Sequence, residues 1–173
     1  MRKLTALLLT AMTVLSVLVV PATSASAATV RTMVAIESPE AIWGLHYRIT
    51  QIRETGDSDG AVLLAFWLAG ASTDEILQAL CIRNHETNPQ WFGDGLGVVN
   101  SHGDSGPMQI NYRSWHNRAE SIGYPWDLVV NDPWFNALMS VHIWIVSGYS
   151  FSPWSTLKYC RNNASNVRYA LAA

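Results

Sequence analysis

From residue 38 onward, apolar residues recur at the spacing of helix faces, separated by short polar breaks. Ser38-Pro39-Glu40 predicts a helix start, with proline at the first helical position and an acid in the first turn. Ile42, Leu45, His46, Ile49 and Ile52 then follow at helical intervals until Gly56. Asp57-Ser58-Asp59-Gly60 predicts a turn. Residues 61–69 are nearly all apolar and predict a short buried helix. Ser72 or Thr73 is placed to cap a third helix that begins Asp74-Glu75 and carries Ile76, Leu77, Leu80, Cys81 and Ile82. That helix should end around residues 86–88, because Pro89 disfavours a helical residue before it. Residues 91–106 are rich in Gly, Asn, Asp and Ser, and fit a small hairpin or an irregular loop. Residues 107–115 lead into a further turn. Asp132-Pro133 opens another helical pattern through Phe135, Leu138, Met139, His142 and Ile143, closed by Gly148. A short last helix is expected around residues 154–160. The pattern predicts a mainly α fold with at most a small β-hairpin.

The first residues carry a different signal. Arg2 and Lys3 precede an apolar run over residues 4–20, Pro21 breaks it, and Ala25-Ser26-Ala27 offers a small-residue cleavage site. This order predicts a secretory signal peptide over residues 1–27, with a single membrane-spanning helix as the alternative reading, and residues 28–173 as one domain of ordinary size. Such a chain is expected outside the cytoplasm, in the cell wall or periplasm or secreted, with no stable membrane insertion after cleavage. All eight Trp, six Tyr and four Phe lie beyond residue 27. They are enough for a real core and for exposed rings besides. The formal charge is −2, and it becomes more acidic when Arg2 and Lys3 leave with the leader. Nothing here offsets phosphate repulsion, so nucleic acid is not an expected partner. In an exported chain Cys81 and Cys160 predict one disulfide, with two buried thiols as the alternative.

Two carboxylates carry the candidate chemistry. Glu86 falls at the C-terminal end of an apolar helix. A glycosidase acid must stay protonated near neutral pH, which calls for an apolar neighbourhood; a helix C-terminus acts in the same direction. Asp104 follows eighteen residues later, within His102-Gly103-Asp104-Ser105-Gly106-Pro107-Met108-Gln109-Ile110-Asn111. A second carboxylate across a glycosidic bond supplies a nucleophile or stabilises charge. Each alone is ordinary: a solvated helix-end Glu, and an Asp in a turn.

The neighbouring residues carry a resemblance. Asp104-Ser105-Gly106-Pro107-Met108-Gln109-Ile110-Asn111-Tyr112-Arg113-Ser114-Trp115 resembles the D-Y-G-I-L-Q-I-N-S-R-W-W segment of c-type lysozymes and the G-L-M-Q-I-N motif of bacterial lytic transglycosylases. Cys81 lies five residues before Glu86, as a cysteine lies before the catalytic Glu in lysozymes. Asn136-Ala137, Ile145-Val146-Ser147-Gly148, Trp154 and Cys160 resemble the lysozyme run N-C-A-K-K-I-V-S-D-G-N-G-M-N-A-W and its following cysteine. The likeness spans about residues 76–160. It departs in the Glu-to-Asp spacing, one residue longer here, in the missing further cysteines, and in residues 28–70, which have no clear counterpart.

The resemblance implies a lysozyme-like domain, with N-terminal helices over 28–70 and a motif-bearing core over 71–160 around a catalytic cleft. It implies cleavage of the β-1,4 bonds between N-acetylmuramic acid and N-acetylglucosamine in peptidoglycan, by hydrolysis or by lytic transglycosylation. Glu86 would be the acid and Asp104 the second carboxylate. Trp154 would pack against the acid and help raise its pKa. Gln109, Asn111, Trp115 and, more softly, Tyr112 and Trp91 would line the saccharide cleft. The family's paired cysteines correspond to Cys81 and Cys160. A monomer acting on glycan strands, without cofactor or metal, is expected.

Two rival readings are open at this point. His85, Glu86, His102, Asp104 and His116 suggest a metal-dependent hydrolase, but His85-Glu86-Thr87-Asn88-Pro89 lacks the H-E-x-x-H spacing that puts two ligands on one helix face. A non-catalytic module that binds saccharide or protein is the second; the presence of both acids and Trp154 weighs against it.

Overall fold

A computed structural model describes residues 38–161, all within one compact unit. The expected leader and its cleavage site fall outside the described residues. The chain forms eight helices and one hairpin over this span: α1 (Pro39–Thr55), α2 (Ser58–Leu68), α3 (Thr73–Glu86), α4 (Pro89–Phe92), β1 (Asp104–Ser105), β2 (Ile110–Asn111), α5 (Tyr112–Ser121), α6 (Trp126–Asn131), α7 (Pro133–Val146) and α8 (Leu157–Cys160). It is mainly helical, with one small antiparallel hairpin. No helix among the described residues is long and apolar enough to cross a membrane.

Local chemistry sets the helix ends. The Ser38 side chain accepts from the Ala41 amide at the start of α1. Ser72 and Glu75 form a reciprocal capping box that satisfies two otherwise orphaned amides of α3. Asp132 caps α7 by accepting from the amides of Trp134 and Phe135. Residues 57–60 are not a free turn, as the polar run suggested. Asp57 caps α2 by accepting from the Gly60 amide, so residues 58–60 are that helix's first turn. Similarly, residues 107–115 do not run into a simple turn: they form β2 and then α5, capped by the Asn111 side chain on the Ser114 amide. Sequence periodicity did not predict α4 or α6, which are too short to show one.

The core lies where α7 packs on α2 and α6, with α3 against α2 on the other side. Its apolar wall includes Phe66, Ile82, Met108, Met139, Ile143 and Trp144. Burial of such side chains contributes about 1.5–3 kcal/mol each before entropy is counted. Aromatic rings run through it in contact: Phe66 lies 5.4 Å from Trp144 and 5.6 Å from Phe151, and Phe151 lies 6.0 Å from Trp154. Cys81 in α3 and Cys160 in α8 form a disulfide with Cα atoms 5.7 Å apart, the pairing expected of an exported chain.

The hairpin is fixed to the helices by buried polar groups. The Asn136 amide on α7 accepts from the Met108 N–H at 2.9 Å and donates to the Val129 carbonyl at 2.8 Å. Thr87, just after α3, donates to the Pro107 carbonyl at 2.8 Å. Gly106 must be glycine here. Its φ is +70°, and a Cβ would sit 2.9 Å from the Val129 carbonyl oxygen and closer still to the Asn136 amide.

Candidate active site

The end of α3, the hairpin, the start of α5 and the segment before α8 enclose a cleft of about 400 Å³. Glu86, Asp104, Gln109, Asn111, Trp115 and Trp154 line it together, joined by Ser114, Ile143, Pro153 and Ser155. The size falls within the range of ordinary small-ligand sites.

Glu86 is the last residue of α3 and is half-buried. Burial pushes its pKa above the ordinary carboxyl value, and the negative charge of Asp104 adds to the rise. A hydrogen bond from the Thr156 hydroxyl to Oε1, 2.7 Å long, acts in the opposite direction. Burial outweighs it, and the net displacement is upward.

Asp104 sits in a web of amides. Asn100 Nδ2 donates to one carboxylate oxygen at 2.8 Å, and Asn111 Nδ2 donates to the other at 2.7 Å. The Asp104 N–H in turn donates to Asn100 Oδ1 at 3.1 Å. Each oxygen is therefore oriented and partly engaged, which suits a charge that faces a developing cation better than a free attacking nucleophile.

The other cleft residues are fixed by the same turn. Gln109 has a φ of +47°, outside the ordinary range for a residue with a side chain. Its Nε2 donates to the Gly106 carbonyl at 2.9 Å, and its Oε1 accepts from Asn100 at 3.2 Å. Trp154 is buried, with its Nε1 donating to the Met108 carbonyl at 2.8 Å. Its ring borders the cleft while its polar atom secures the hairpin turn at Met108, just before Gln109.

Two softer candidates fall elsewhere. Trp91 on α4 is 79% exposed and is not part of the cleft wall. Tyr112 lines a second hollow, next to His102, Arg113 and Trp126. Asn100 and Thr156 were missed by sequence reasoning. An Asn in a Gly/Ser-rich loop signals a turn, but nothing in the sequence marks Thr156 as the partner of Glu86.

Among the described residues, the histidines and acids proposed for a metal do not gather around Glu86. The one group with ligand atoms close enough, within 4.8 Å, is Cys81, His85 and Cys160, and there both sulfurs are joined in the disulfide. Comparison with family models, with curated proteins and with solved structures finds no match for this chain.

Proposed function

We propose that this protein is an exported enzyme of lysozyme type that cleaves the β-1,4 glycosidic bonds of peptidoglycan strands, with Glu86 as general acid. The observation that carries the reading is the environment of Glu86. It is a half-buried carboxyl at a helix end whose pKa is raised by desolvation, in the same cleft as Asp104. Such a group holds its proton to higher pH than an ordinary carboxyl and can pass it to a glycosidic oxygen. Trp115, Trp154 and the amides of Gln109 and Asn111 supply what a sugar needs: ring faces for its C–H groups, and polar atoms for its substituents.

The sequence likeness to lysozymes and lytic transglycosylases supports the same reading through independent motifs. The sequence leader and the disulfide support an extracytoplasmic site of action. In mechanism, Glu86 protonates the leaving oxygen, and in the hydrolytic route the Asp104 carboxylate stabilises the oxocarbenium character that develops on the sugar. The ionised Glu86 then acts as base, either on water or on the sugar's own 6-hydroxyl.

The experiment is digestion of purified cell walls with mass analysis of the released muropeptides. Glycan cleavage is expected, and Glu86→Gln should abolish it while leaving the fold intact. A product lighter by one water identifies transglycosylation, and Asp104→Asn should then cost little. A hydrated product identifies hydrolysis, with a large loss in Asp104→Asn. A folded, fully active Glu86→Gln protein would overturn the assignment.

A further inference from the structure

On the far side of the hairpin from the cleft lies a second hollow, of about 420 Å³. The two share one thin wall. Along that wall, neighbouring residues alternate between them: Asp104, Asn111 and Ser114 line the cleft, whereas Gly103, Ser105, Tyr112 and Arg113 line the hollow. A branched ligand lying in the cleft therefore has only a two-stranded ribbon to cross before a side branch reaches the hollow.

The lining of the hollow differs in character from that of the cleft. Its titratable side chains are His102, Tyr112 and Arg113, with no carboxylate among the residues that form its wall. Among the described residues no carboxylate lies within ion-pair distance of the Arg113 guanidinium, although acids outnumber Lys and Arg thirteen to eleven in this chain. Three rings form a cluster beside it. Tyr112 lies 4.5 Å from His116 and 5.4 Å edge-to-face from Trp126, and the Tyr112 side chain is 45% exposed. A guanidinium without an ion pair, in one hollow with two partly exposed rings, suits a carboxylate carried on a short, partly apolar chain.

Resting on the proposed glycan-cleaving function, we propose that this hollow holds the carboxylate-bearing peptide branch of the strand seated in the cleft. Arg113 pairs with a branch carboxylate, while Tyr112 and Trp126 cover its aliphatic part. The enzyme then prefers peptide-bearing strands to bare glycan.

The test is a nuclear magnetic resonance titration of the protein with the free tripeptide L-alanyl-γ-D-glutamyl-meso-diaminopimelate, which contains no glycosidic bond. Shifts are expected at residues 101–103, at Tyr112 and Arg113, and at the Trp126 indole. Binding should weaken as salt rises. Arg113→Glu should weaken it by at least about fivefold, since an attractive charge pair becomes a repulsive one. Arg113 is exposed on the first turn of α5, so an unchanged melting temperature is the check on its fold. Arg113→Gln, which removes the charge without reversing it, should fall between. With peptide-bearing and peptide-stripped strands as substrates, Arg113→Glu should narrow the preference for the former. Absence of shifts around the hollow at millimolar peptide, or binding indifferent to Arg113→Glu, overturns the inference even if walls are cleaved. Peptide binding in a protein that cleaves no glycan would instead leave the hollow standing and refute the proposed activity.

Discussion

The Thr156 hydroxyl donates to Glu86 Oε1 at 2.7 Å, joining the end of α3 to the residue just before α8. The contact has a directional consequence. With Oε1 occupied by a donor, the proton of a neutral Glu86 belongs on Oε2, which leaves that oxygen as the one to deliver it. Thr156 also favours the ionised form, so it trims the rise in pKa that burial produces.

Thr156→Val should therefore move the pKa of Glu86 further up. Under the proposed role of Glu86 as general acid, only its protonated form works, so the alkaline limb of the pH–activity profile should shift to higher pH. Thr156→Ser should restore the wild-type limb. The lost hydrogen bond should cost about 1 kcal/mol of stability. Wall clearing against pH for the three proteins is the measurement; an unmoved limb in the valine variant would show that the bond does not tune the acid.

The same raised pKa has a signature in stability that needs no substrate. In the folded protein Glu86 holds its proton to higher pH than in the unfolded chain. The folded state thus binds more protons, and stability falls as pH rises from the ordinary carboxyl range through the folded pKa. Glu86→Gln removes this dependence while filling nearly the same volume. The variant should melt above wild type at pH 7, and the gap should close below about pH 4. Equal melting temperatures at both pH values would mean that burial imposes no strain on the carboxylate.

How much of this was legible beforehand depends on the range of the interaction. Caps, helix faces and the disulfide follow from residues that act within a few positions or that have no other partner to choose. Ser72 with Glu75, and Cys81 with Cys160, are examples. Glu86, Asp104, Gln109, Asn111, Trp115 and Trp154 do gather in one cleft, and part of what orients them lies inside the motif, as when Asn111 donates to Asp104. What escaped is nonlocal and carried by common residues. Thr156 reaches Glu86 across 70 positions, and Asn136 reaches Met108 across 28. Tyr112 illustrates the other limit: it sits next to Asn111 in sequence, yet faces a different hollow. At a strand-to-helix junction neither the two-residue nor the 3.6-residue period holds, so adjacency in the motif did not determine the face.

The disulfide should matter for stability and for the acid alike. It closes 79 residues of chain, which the chain-entropy model values at about 4.5 kcal/mol as an upper figure. Cys160 ends the short helix that follows Thr156, and Cys81 is five residues before Glu86. Opening the bond frees both ends of the Thr156–Glu86 contact. Cys81→Ser with Cys160→Ser should lower the urea midpoint strongly. Below that midpoint, the alkaline limb should move in the same direction as in Thr156→Val. A double serine variant with wild-type stability would show that packing of α8 on α3 suffices.

Trp154 holds the remaining part of the site in place. Met108 is clamped from both sides: its N–H donates to Asn136 Oδ1, and its carbonyl accepts from Trp154 Nε1. The next residue, Gln109, is held at a φ of +47°, which costs energy unless its neighbours fix it. Trp154→Phe keeps most of the ring but leaves the Met108 carbonyl without its indole donor. An unmet buried acceptor costs about 1–3 kcal/mol, whereas Trp154→Ala should cost about 3–5 kcal/mol through the cavity it opens. The phenylalanine variant separates the hydrogen bond from the bulk of the ring. It should remain folded, show faster amide exchange at Met108 and Gln109, and bind saccharide less well as the Gln109 turn loosens. Exchange rates at those two amides equal to wild type would mean that Asn136 alone holds the turn, and that Trp154 acts in the cleft only through its surface.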